Sequence, residues 1–311
     1  MTNTFERDAL ITGSTIAGSG DEATFIEWFL PPDPAAARTP LVFVHGGSHD
    51  GRCYTQTPDG RIGWAPYVAM HGRPAYVVDW AGTGRSPAVS DLAHLSLATI
   101  ARGVARAVSD VVGDAVLVTH SMGGVVGWRV ATTIPDRVTA IVAIAPGPPA
   151  ELQPPLTRDD LEALQADNAA YAASGRPFMI DEREPHFVPP ELARAVWANS
   201  DTFPHDAFDR YVATLLPCSA RAINERNNIA GLGLTIGGPA ALGGIPVVIL
   251  TGDQDPRHPR AADVRIADYF GAEFIYLPDA GLHGHGHMQM IEHGNEAIAD
   301  LFLAWLAKNR R

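Results

Sequence analysis

The chain has 311 residues, of which 46% are apolar and 19% charged, and its 23 basic and 35 acidic side chains give a formal net charge of −12. This composition indicates a globular protein with a sizeable core and excludes a disordered or collagen-like chain. We expect neither nucleic acid nor anionic lipid as a partner, because both repel an acidic protein and the sequence has no compensating basic cluster.

Two cysteines, Cys53 and Cys218, are too few for a disulfide framework and lack the spacing of a zinc site. We expect free thiols, with a single bridge as the alternative. Glu6, Arg7 and Asp8 stand where a signal peptide would need its apolar core, and no segment approaches the roughly 18 apolar residues of a membrane span. We therefore expect a cytoplasmic protein without membrane attachment, whose partner is a small-molecule substrate; a homodimer is compatible with this interpretation.

The predicted elements alternate between short apolar runs and longer helical patterns. Residues 10–17 and 23–30 flank a Gly-Ser-Gly-Asp turn and predict an antiparallel hairpin at a sheet edge. Six nearly all-apolar runs predict strands buried on both faces, at 41–44, 75–78, 115–118, 138–144, 246–250 and 273–277. Helical patterns lie between them, at 64–70, 97–112, 122–134, 260–270 and 295–308. The alternation indicates an α/β fold with a mostly parallel central sheet flanked by helices.

The segment 147–243 breaks the alternation because it contains no strand-like run. It starts among prolines and predicts three helices, over 157–175, 190–197 and 205–216. We interpret it as a helical cap inserted after the sixth strand, so that residues 1–146 and 244–311 form one core. A separate domain is the alternative.

The strongest local motif is Thr-His-Ser-Met-Gly-Gly at 119–124, which follows a predicted strand and directly precedes a predicted helix. This context is that of a nucleophile elbow, in which a serine on a sharp turn needs small residues two positions before and after it. Gly123 meets this requirement, whereas Thr119 is larger than the usual glycine. The N–H groups at the helix start would face negative charge that develops on a substrate oxygen. The alternative is that Ser121 only caps the helix.

With this motif the sequence resembles the alpha/beta-hydrolase superfamily over nearly its whole length. The run Phe-Val-His-Gly-Gly at 43–47 is similar to the family's loop after the third strand, which supplies one N–H of the oxyanion hole. The resemblance assigns that N–H to Gly47 and its partner to the N–H of Met122. His49 and Asp50, further along the same loop, are expected to be polar loop residues rather than ligands.

A second motif, Asp-Trp-Ala-Gly-Thr-Gly-Arg-Ser at 79–86, is similar to the family's Asp-x-x-Gly-x-Gly-x-Ser turn after the fourth strand. That turn is structural, because its glycines allow tight backbone angles. We assign it no catalytic role.

The resemblance implies a catalytic carboxylate after a strand in the C-terminal half, and Leu-Thr-Gly-Asp-Gln-Asp-Pro at 250–256 fits. The family's carboxylate lies three residues after the glycine, which selects Asp255, with Asp253 as the alternative. The sequence also resembles a bacterial carboxylesterase branch in which the acid is a Glu after the sixth strand, but here Ala145 stands at that position. Alanine cannot orient an imidazole, so either the acid is Asp255, which we prefer, or the triad is incomplete.

Three histidines at alternate positions, His283, His285 and His287, lie in the loop after the last strand. The family's pattern is Gly-His with a Glu about five residues on, which His287 and Glu292 match. His287 is therefore the expected base, with His285 as the alternative, in the chain order Ser, Asp, His. Alternate side chains of an extended segment point to one side, which would suit zinc, but no carboxylate or cysteine cluster accompanies the loop.

Together these motifs predict a serine hydrolase that cleaves a carboxylic ester, lactones included, with no metal or organic cofactor. The serine at position 121 excludes superfamily members with an Asp nucleophile, such as epoxide hydrolases and haloalkane dehalogenases. Amide or C–C hydrolysis by the same triad is one alternative, and a non-enzymatic ligand-binding protein is another. Four aromatic residues of the predicted cap form either a substrate pocket or cap core; they are Trp197, Phe203, Phe208 and Tyr211.

Overall fold

A computed structural model of the protein describes residues 6–33, 38–157, 159 and 179–309. Its strands are β1 Ile11–Ala17, β2 Thr24–Leu30, β3 Leu41–Val44, β4 Ala75–Asp79, β5 Ala115–His120, β6 Val138–Ile144, β7 Val247–Thr251 and β8 Glu273–Tyr276. They form one sheet with the order β1-β2-β4-β3-β5-β6-β7-β8. β1 pairs with β2, and β2 with β4, in antiparallel fashion, and all other pairs are parallel. The predicted hairpin and the six predicted strands are confirmed. The prediction that all six are buried on both faces was wrong for β8, which has no buried residue because it lies at the edge of the sheet.

Eight α-helices lie within the described residues: α1 Trp64–Met70, α2 Leu97–Ala107, α3 Met122–Thr133, α4 Pro190–Val196, α5 Phe208–Val212, α6 Ala220–Arg226, α7 Arg260–Phe270 and α8 Asn295–Lys308. The predicted helices at 64–70, 260–270 and 295–308 have the predicted bounds. The predicted helix at 97–112 divides into α2 and a π-helical turn, Val108–Val112. Short 3-10 helices occupy Arg7–Ala9, Gly20–Glu22, Gly51–Tyr54, Ala150–Leu152, His205–Ala207, Pro239–Leu242 and Leu277–Ala280. None of the helices in the described part of the chain is both long and apolar enough to cross a membrane.

Alternate residues of each central strand face opposite sides of the sheet, and an apolar cluster covers each side. Val42 and Val44 of β3 belong to the cluster that contains Trp128 of α3. Phe43, between them, belongs to the other cluster with Trp64 of α1. Because both faces of β3 are buried, the strand contains no polar side chain.

The segment between β6 and β7 contains α4, α5 and α6, and within its described part the β structure is limited to two isolated bridges. The predicted helix at 190–197 is confirmed as α4. The predicted helix at 205–216 is shorter, because the Leu216 N–H donates to Ser48 O over 2.9 Å and the chain leaves the helical path. The predicted helix at 157–175 lies almost wholly outside the described residues, and the sequence patterns did not predict α6. The bounds of the cap stay a prediction.

The turn after β4 is organised by the buried carboxylate of Asp79. This carboxylate accepts hydrogen bonds from the Gly51 N–H and the Arg85 N–H, each over 2.8 Å, and forms an ion pair with the Arg85 guanidinium at 2.8 Å. Burial alone would raise the pKa of Asp79, but the hydrogen bonds and charge of Arg85 hold it below its usual value. The side chain thus ties the loop after β3 to the turn after β4, which agrees with the structural role expected from the motif.

We predict that Asp79→Ala lowers the free energy of unfolding by about 2–4 kcal/mol, because it leaves the buried Gly51 N–H without an acceptor. Urea unfolding followed by circular dichroism measures this change. Asp91→Ala is the matched control, since Asp91 is 58% exposed and pairs with the exposed His94, so we expect a change of at most about 1 kcal/mol. Equal losses in the two variants would contradict the structural role of Asp79.

Candidate active site

Ser121 lies between the end of β5 and the start of α3, in a backbone conformation that non-glycine residues rarely adopt, with φ 52° and ψ −123°. The residues after it are packed against neighbouring backbone. A Cβ added to Gly123 would lie 2.3 Å from His45 O, and one added to Gly124 would lie 2.6 Å from the Pro146 Cβ. The strained turn therefore requires the two glycines that follow the serine.

Thr119 occupies the position at which the elbow motif has a glycine, and the structure shows how it fits. Its methyl group faces Gly127, one turn into α3, where an added Cβ would lie 2.4 Å from the Thr119 Cγ2. The extra volume at position 119 is thus accommodated by the missing side chain at position 127. The Thr119 hydroxyl is buried and has no hydrogen-bond partner.

Two buried histidines hold the loop that follows β3. His45 Nδ1–H donates to Gly46 O over 2.8 Å, and His49 Nδ1–H donates to Gly47 O over 2.7 Å. The second ring nitrogen of His49 accepts a hydrogen bond from the Tyr211 hydroxyl at 2.9 Å. Burial lowers the pKa of both imidazoles, that of His49 to about 4, so both rings are neutral near pH 7. His49 is therefore more than a polar loop residue, because it joins this loop to α5.

The same hydrogen bonds orient the peptide groups of the loop. In a trans peptide the C=O and the N–H point in opposite directions, so the bond from His45 to Gly46 O turns the Gly47 N–H away from the His45 ring. The Met122 side chain lies 3.2 Å from where a Cβ on Gly47 would be. Within the described residues, neither the Gly47 N–H nor the Met122 N–H donates a hydrogen bond to the protein. Both residues line one cavity with Ser121.

His287 and Asp255 are in direct contact: His287 Nδ1 lies 2.7 Å from Asp255 Oδ2, and both side chains are buried. Burial would raise the pKa of Asp255, but the charge and hydrogen bond of His287 lower it to about 2. For His287, burial lowers the pKa against the opposing effect of Asp255. At neutral pH the pair is thus a carboxylate and a neutral imidazole that is protonated on Nδ1, which leaves Nε2 as an acceptor.

Ser121 and His287 line the same cavity, and within the described residues no hydrogen bond joins them. Contacts of this kind often tighten only when a substrate is bound. The structure therefore brings together the predicted serine, histidine and Asp255, in the chain order that the motifs gave.

The second predicted carboxylate, Asp253, and the other loop histidines have different partners. Asp253 accepts hydrogen bonds from the N–H groups of Gly284 and His285, at 3.1 and 3.0 Å. His285 Nδ1 lies 3.0 Å from Glu292 Oε2, and His283 is exposed. No group of three or more potential metal ligands occurs among the described residues. Asp253 and His285 thus shape the loop rather than contact His287.

Sequence reasoning missed His258, which lies three residues after Asp255. Its ring stacks on that of His287, with centroids 5.3 Å apart. The backbone N–H of His258 donates to Asp255 Oδ1 over 3.1 Å. Its Nδ1 faces Asp263 Oδ1 at 3.0 Å, and Asp263 in turn accepts from the Thr251 hydroxyl at 2.6 Å. The only sequence signal was its nearness to the predicted acid.

His120, inside the hexapeptide itself, was also missed. Its Nε2–H donates to the backbone oxygen of His287 over 3.0 Å, and the two rings lie 4.6 Å apart between centroids. Burial lowers the pKa of His120 well below its usual value, so the ring is neutral. His120 therefore fixes the backbone of His287 from the strand that leads to Ser121.

The cavity at Ser121 has a volume of about 250 Å³. Its apolar wall comes from the segment between β6 and β7 and includes Val188, Leu192 and Trp197. The other predicted aromatics do not line it: Phe203, Phe208 and Tyr211 pack on one another with ring centroids 5.3–6.4 Å apart. Of these four predicted aromatic residues, Trp197 therefore contributes to the cavity, and the other three belong to the hydrophobic core.

Comparison with known proteins agrees with the fold. The sequence model of the alpha/beta hydrolase family matches residues 41–301. The chain belongs to this family. The fold class and the superfamily resemblance predicted from the motifs are thereby confirmed. Free thiols at Cys53 and Cys218 also agree with the expectation from the sequence.

Several relatives of this alpha/beta hydrolase are described as lipases or esterases. A probable secreted lipase, phiG, of Fungal sp. (strain ATCC 74256) is 24% identical over 91% of this chain and 85% of its own length. A novel bacterial esterase is similar in structure with a TM-score of 0.57 and 18% identity, over 96% of each chain. A thermophilic esterase from Thermogutta terrifontis has a TM-score of 0.63 and 16% identity, over 97% of this chain and 100% of its own. At this level of description the protein is a hydrolase.

We predict that Gly127→Ala destabilises the protein by about 1–3 kcal/mol, because the new Cβ would overlap the Thr119 methyl group, although alanine is the better helix former by about 1 kcal/mol. In a Thr119→Ala background the same change should cost much less or become stabilising. Urea unfolding of both single variants and the double variant measures the coupling. Additive effects would show that the two positions are independent.

Proposed function

We propose that this alpha/beta hydrolase cleaves a carboxylic ester, lactones included, with Ser121 as the nucleophile, His287 as the general base and Asp255 as the residue that orients His287. The observation that carries the proposal is the strained Ser121 in one cavity with a neutral His287, whose Nδ1 is bound to Asp255 at 2.7 Å. A serine that only caps a helix needs neither partner.

In the proposed reaction, Ser121 Oγ attacks the ester carbonyl carbon while its proton passes to His287 Nε2. The carbonyl oxygen becomes an oxyanion, which accepts hydrogen bonds from the N–H groups of Gly47 and Met122. The C–O bond to the alcohol then breaks, and His287 gives its proton to the departing oxygen. Water then loses a proton to His287 and attacks the acyl carbon. The bond from that carbon to Ser121 Oγ breaks, and His287 returns the proton to Oγ, which releases the acid and free Ser121. No step requires a metal or an organic cofactor.

The electrostatics support these roles. The pKa of Asp255 near 2 keeps it ionised when His287 becomes positively charged, so the imidazolium that forms is stabilised. The buried, neutral His49 and His120 add no positive charge next to His287 before it accepts a proton. Ester cleavage, rather than another reaction of the same triad, is supported by the lipase and esterases among the relatives.

The location and assembly of the protein stay predictions. A cytoplasmic location was expected from the sequence, whereas the fungal relative is described as secreted. A homodimer is compatible with the sequence, and the mass in solution measures the assembly.

We predict that a fluorophosphonate probe labels the wild-type protein and fails to label Ser121→Ala, because only an activated serine reacts with it. Ser109→Ala, which changes an exposed serine, is the control and should label like the wild type. Turnover of p-nitrophenyl butyrate should follow the labelling, and a p-nitroanilide of the same acid should react far more slowly. If the wild type neither labels nor turns over any activated ester, the proposal fails.

We predict that Asp255→Asn lowers kcat by about 10³–10⁴-fold, because an amide in this position favours the wrong tautomer of His287. Asp253→Asn is the matched control. It retains an oxygen that can accept from the His285 N–H, and we expect less than about a tenfold loss. Steady-state kinetics on an activated ester, with thermal unfolding to verify folding, provides the comparison. The reverse order of losses would assign the acid role to Asp253.

A further inference from the structure

The cavity at Ser121 has a cationic part that ester hydrolysis does not use. Its lining includes Arg226, the last residue of α6, and Arg257, two residues after Asp255. No Asp or Glu from the described residues lines this cavity. The remaining wall is mainly apolar, so two arginine side chains and an apolar surface border the same small cavity next to Ser121.

The two arginines also border a second cavity of about 270 Å³, between the chain that follows β6 and helix α7. Arg226, Asn227 and Arg257 line both cavities, and Arg265 lines the second. The second cavity has one acidic lining residue among those described, Asp263. The boundary between the cavities is therefore cationic on both sides.

Arg226 has neutral hydrogen-bond partners. Its guanidinium donates to Asn227 Oδ1 over 2.9 Å and makes a longer contact, 3.4 Å, with His258 Nε2. Because a guanidinium only donates, His258 Nε2 is the acceptor, and the His258 Nδ1–H is directed to Asp263. Within the described residues no carboxylate forms an ion pair with Arg226.

Burying the charged guanidinium of Arg226 costs free energy, and a bound anion would offset that cost. Burial, together with the neighbouring Arg257, lowers the pKa of Arg226 to about 9, although the charges of Asp263 and Asp255 act in the opposite direction. Asp255 and Asp263 are themselves bound to His287 and His258. A bound carboxylate would supply the missing charge and could accept two parallel hydrogen bonds from the planar guanidinium.

We propose that the substrate of this enzyme is an ester that carries a second, ionised carboxylate, which binds Arg226 while the apolar wall holds the carbon chain between the two groups. This inference rests on the proposed function and names its substrate class. It requires no additional chemical step, because the carboxylate is bound and not transformed.

The test compares kcat/KM for two matched substrate pairs. Monomethyl adipate and methyl hexanoate differ by a carboxylate in place of a methyl group on the acyl side, and hydrolysis of each is followed in a pH-stat. 4-Acetoxybenzoate and p-tolyl acetate differ in the same way on the alcohol side. The wild type should prefer the anionic ester by at least about tenfold in one pair, and that pair identifies the side that carries the carboxylate.

Arg226→Gln should lower kcat/KM for the preferred anionic ester about 10- to 100-fold more than it lowers kcat/KM for the neutral ester of that pair. Arg226→Lys keeps the charge but loses the planar pair of donors, so its kcat/KM for the anionic ester should lie between those of the wild type and Arg226→Gln. Arg129→Gln removes an exposed arginine on α3 and is the matched control, which should behave like the wild type.

One measurement needs no variant, in case Arg226 variants fold poorly. Hexanoate should inhibit wild-type hydrolysis of p-tolyl acetate more strongly than the neutral hexanamide does, by about tenfold in the inhibition constant. Equal inhibition, or no preference for the anionic ester in either pair, overturns the inference. If neutral esters are hydrolysed in a Ser121-dependent reaction without that preference, only the substrate class is wrong. If no ester is hydrolysed and the probe does not label Ser121, the proposed function itself is wrong.

Discussion

The close approach of the loop after β3 to the turn at Ser121 is the constraint on which the rest of the site depends. Gly123 packs directly against His45 O, so the first turn of α3 and the loop after β3 lie in direct contact. A side chain at position 123 would separate them and move the Gly47 N–H away from Met122. The strain at Ser121 persists because the neighbouring packing leaves the backbone no alternative, as is common at functional sites.

Neutral, buried imidazoles carry out most of the positioning around this turn. His45 and His49 donate hydrogen bonds to consecutive carbonyls of the loop after β3, and His120 donates one to the backbone oxygen of His287. Burial lowers the pKa of each, and for each of them a ring N–H is used in a hydrogen bond. An imidazole can donate and accept in one plane without adding charge, which a lysine or arginine in the same place could not do. The three rings thus position the loop after β3 and the backbone of His287 without adding charge of their own.

The sequence predicted those elements whose residue pattern is determined by neighbouring residues or by burial of the same segment. Runs such as 41–44 are apolar because both faces of the strand are covered, and the bounds of α7 and α8 follow from the residues that start and stop a helix. The approach of His287 to Asp255 could also be predicted, because the order and spacing of the motifs belong to a family with one common arrangement.

The missed features depend on contacts between distant parts of the chain. Arg226 contacts His258 from 32 positions away, and no pattern in either segment indicates the other. Helix α6 is short, and its cap, Ser219, both accepts from the Ala222 N–H and donates to Leu95 O of another segment. Such an element is stabilised by the surface it packs on, so its own sequence is only a weak predictor of it.

The net charge of −12 and the cationic wall of the cavity act at different distances. Charges spread over the surface are screened beyond about 8 Å at physiological ionic strength, whereas a buried guanidinium acts on a ligand at contact and is screened much less. An anionic ester is therefore repelled weakly during its approach and attracted strongly once it lies beside Arg226. The global charge is thus a guide to excluded macromolecular partners, while the charge of the substrate is decided by the two or three side chains within hydrogen-bond reach of the cavity.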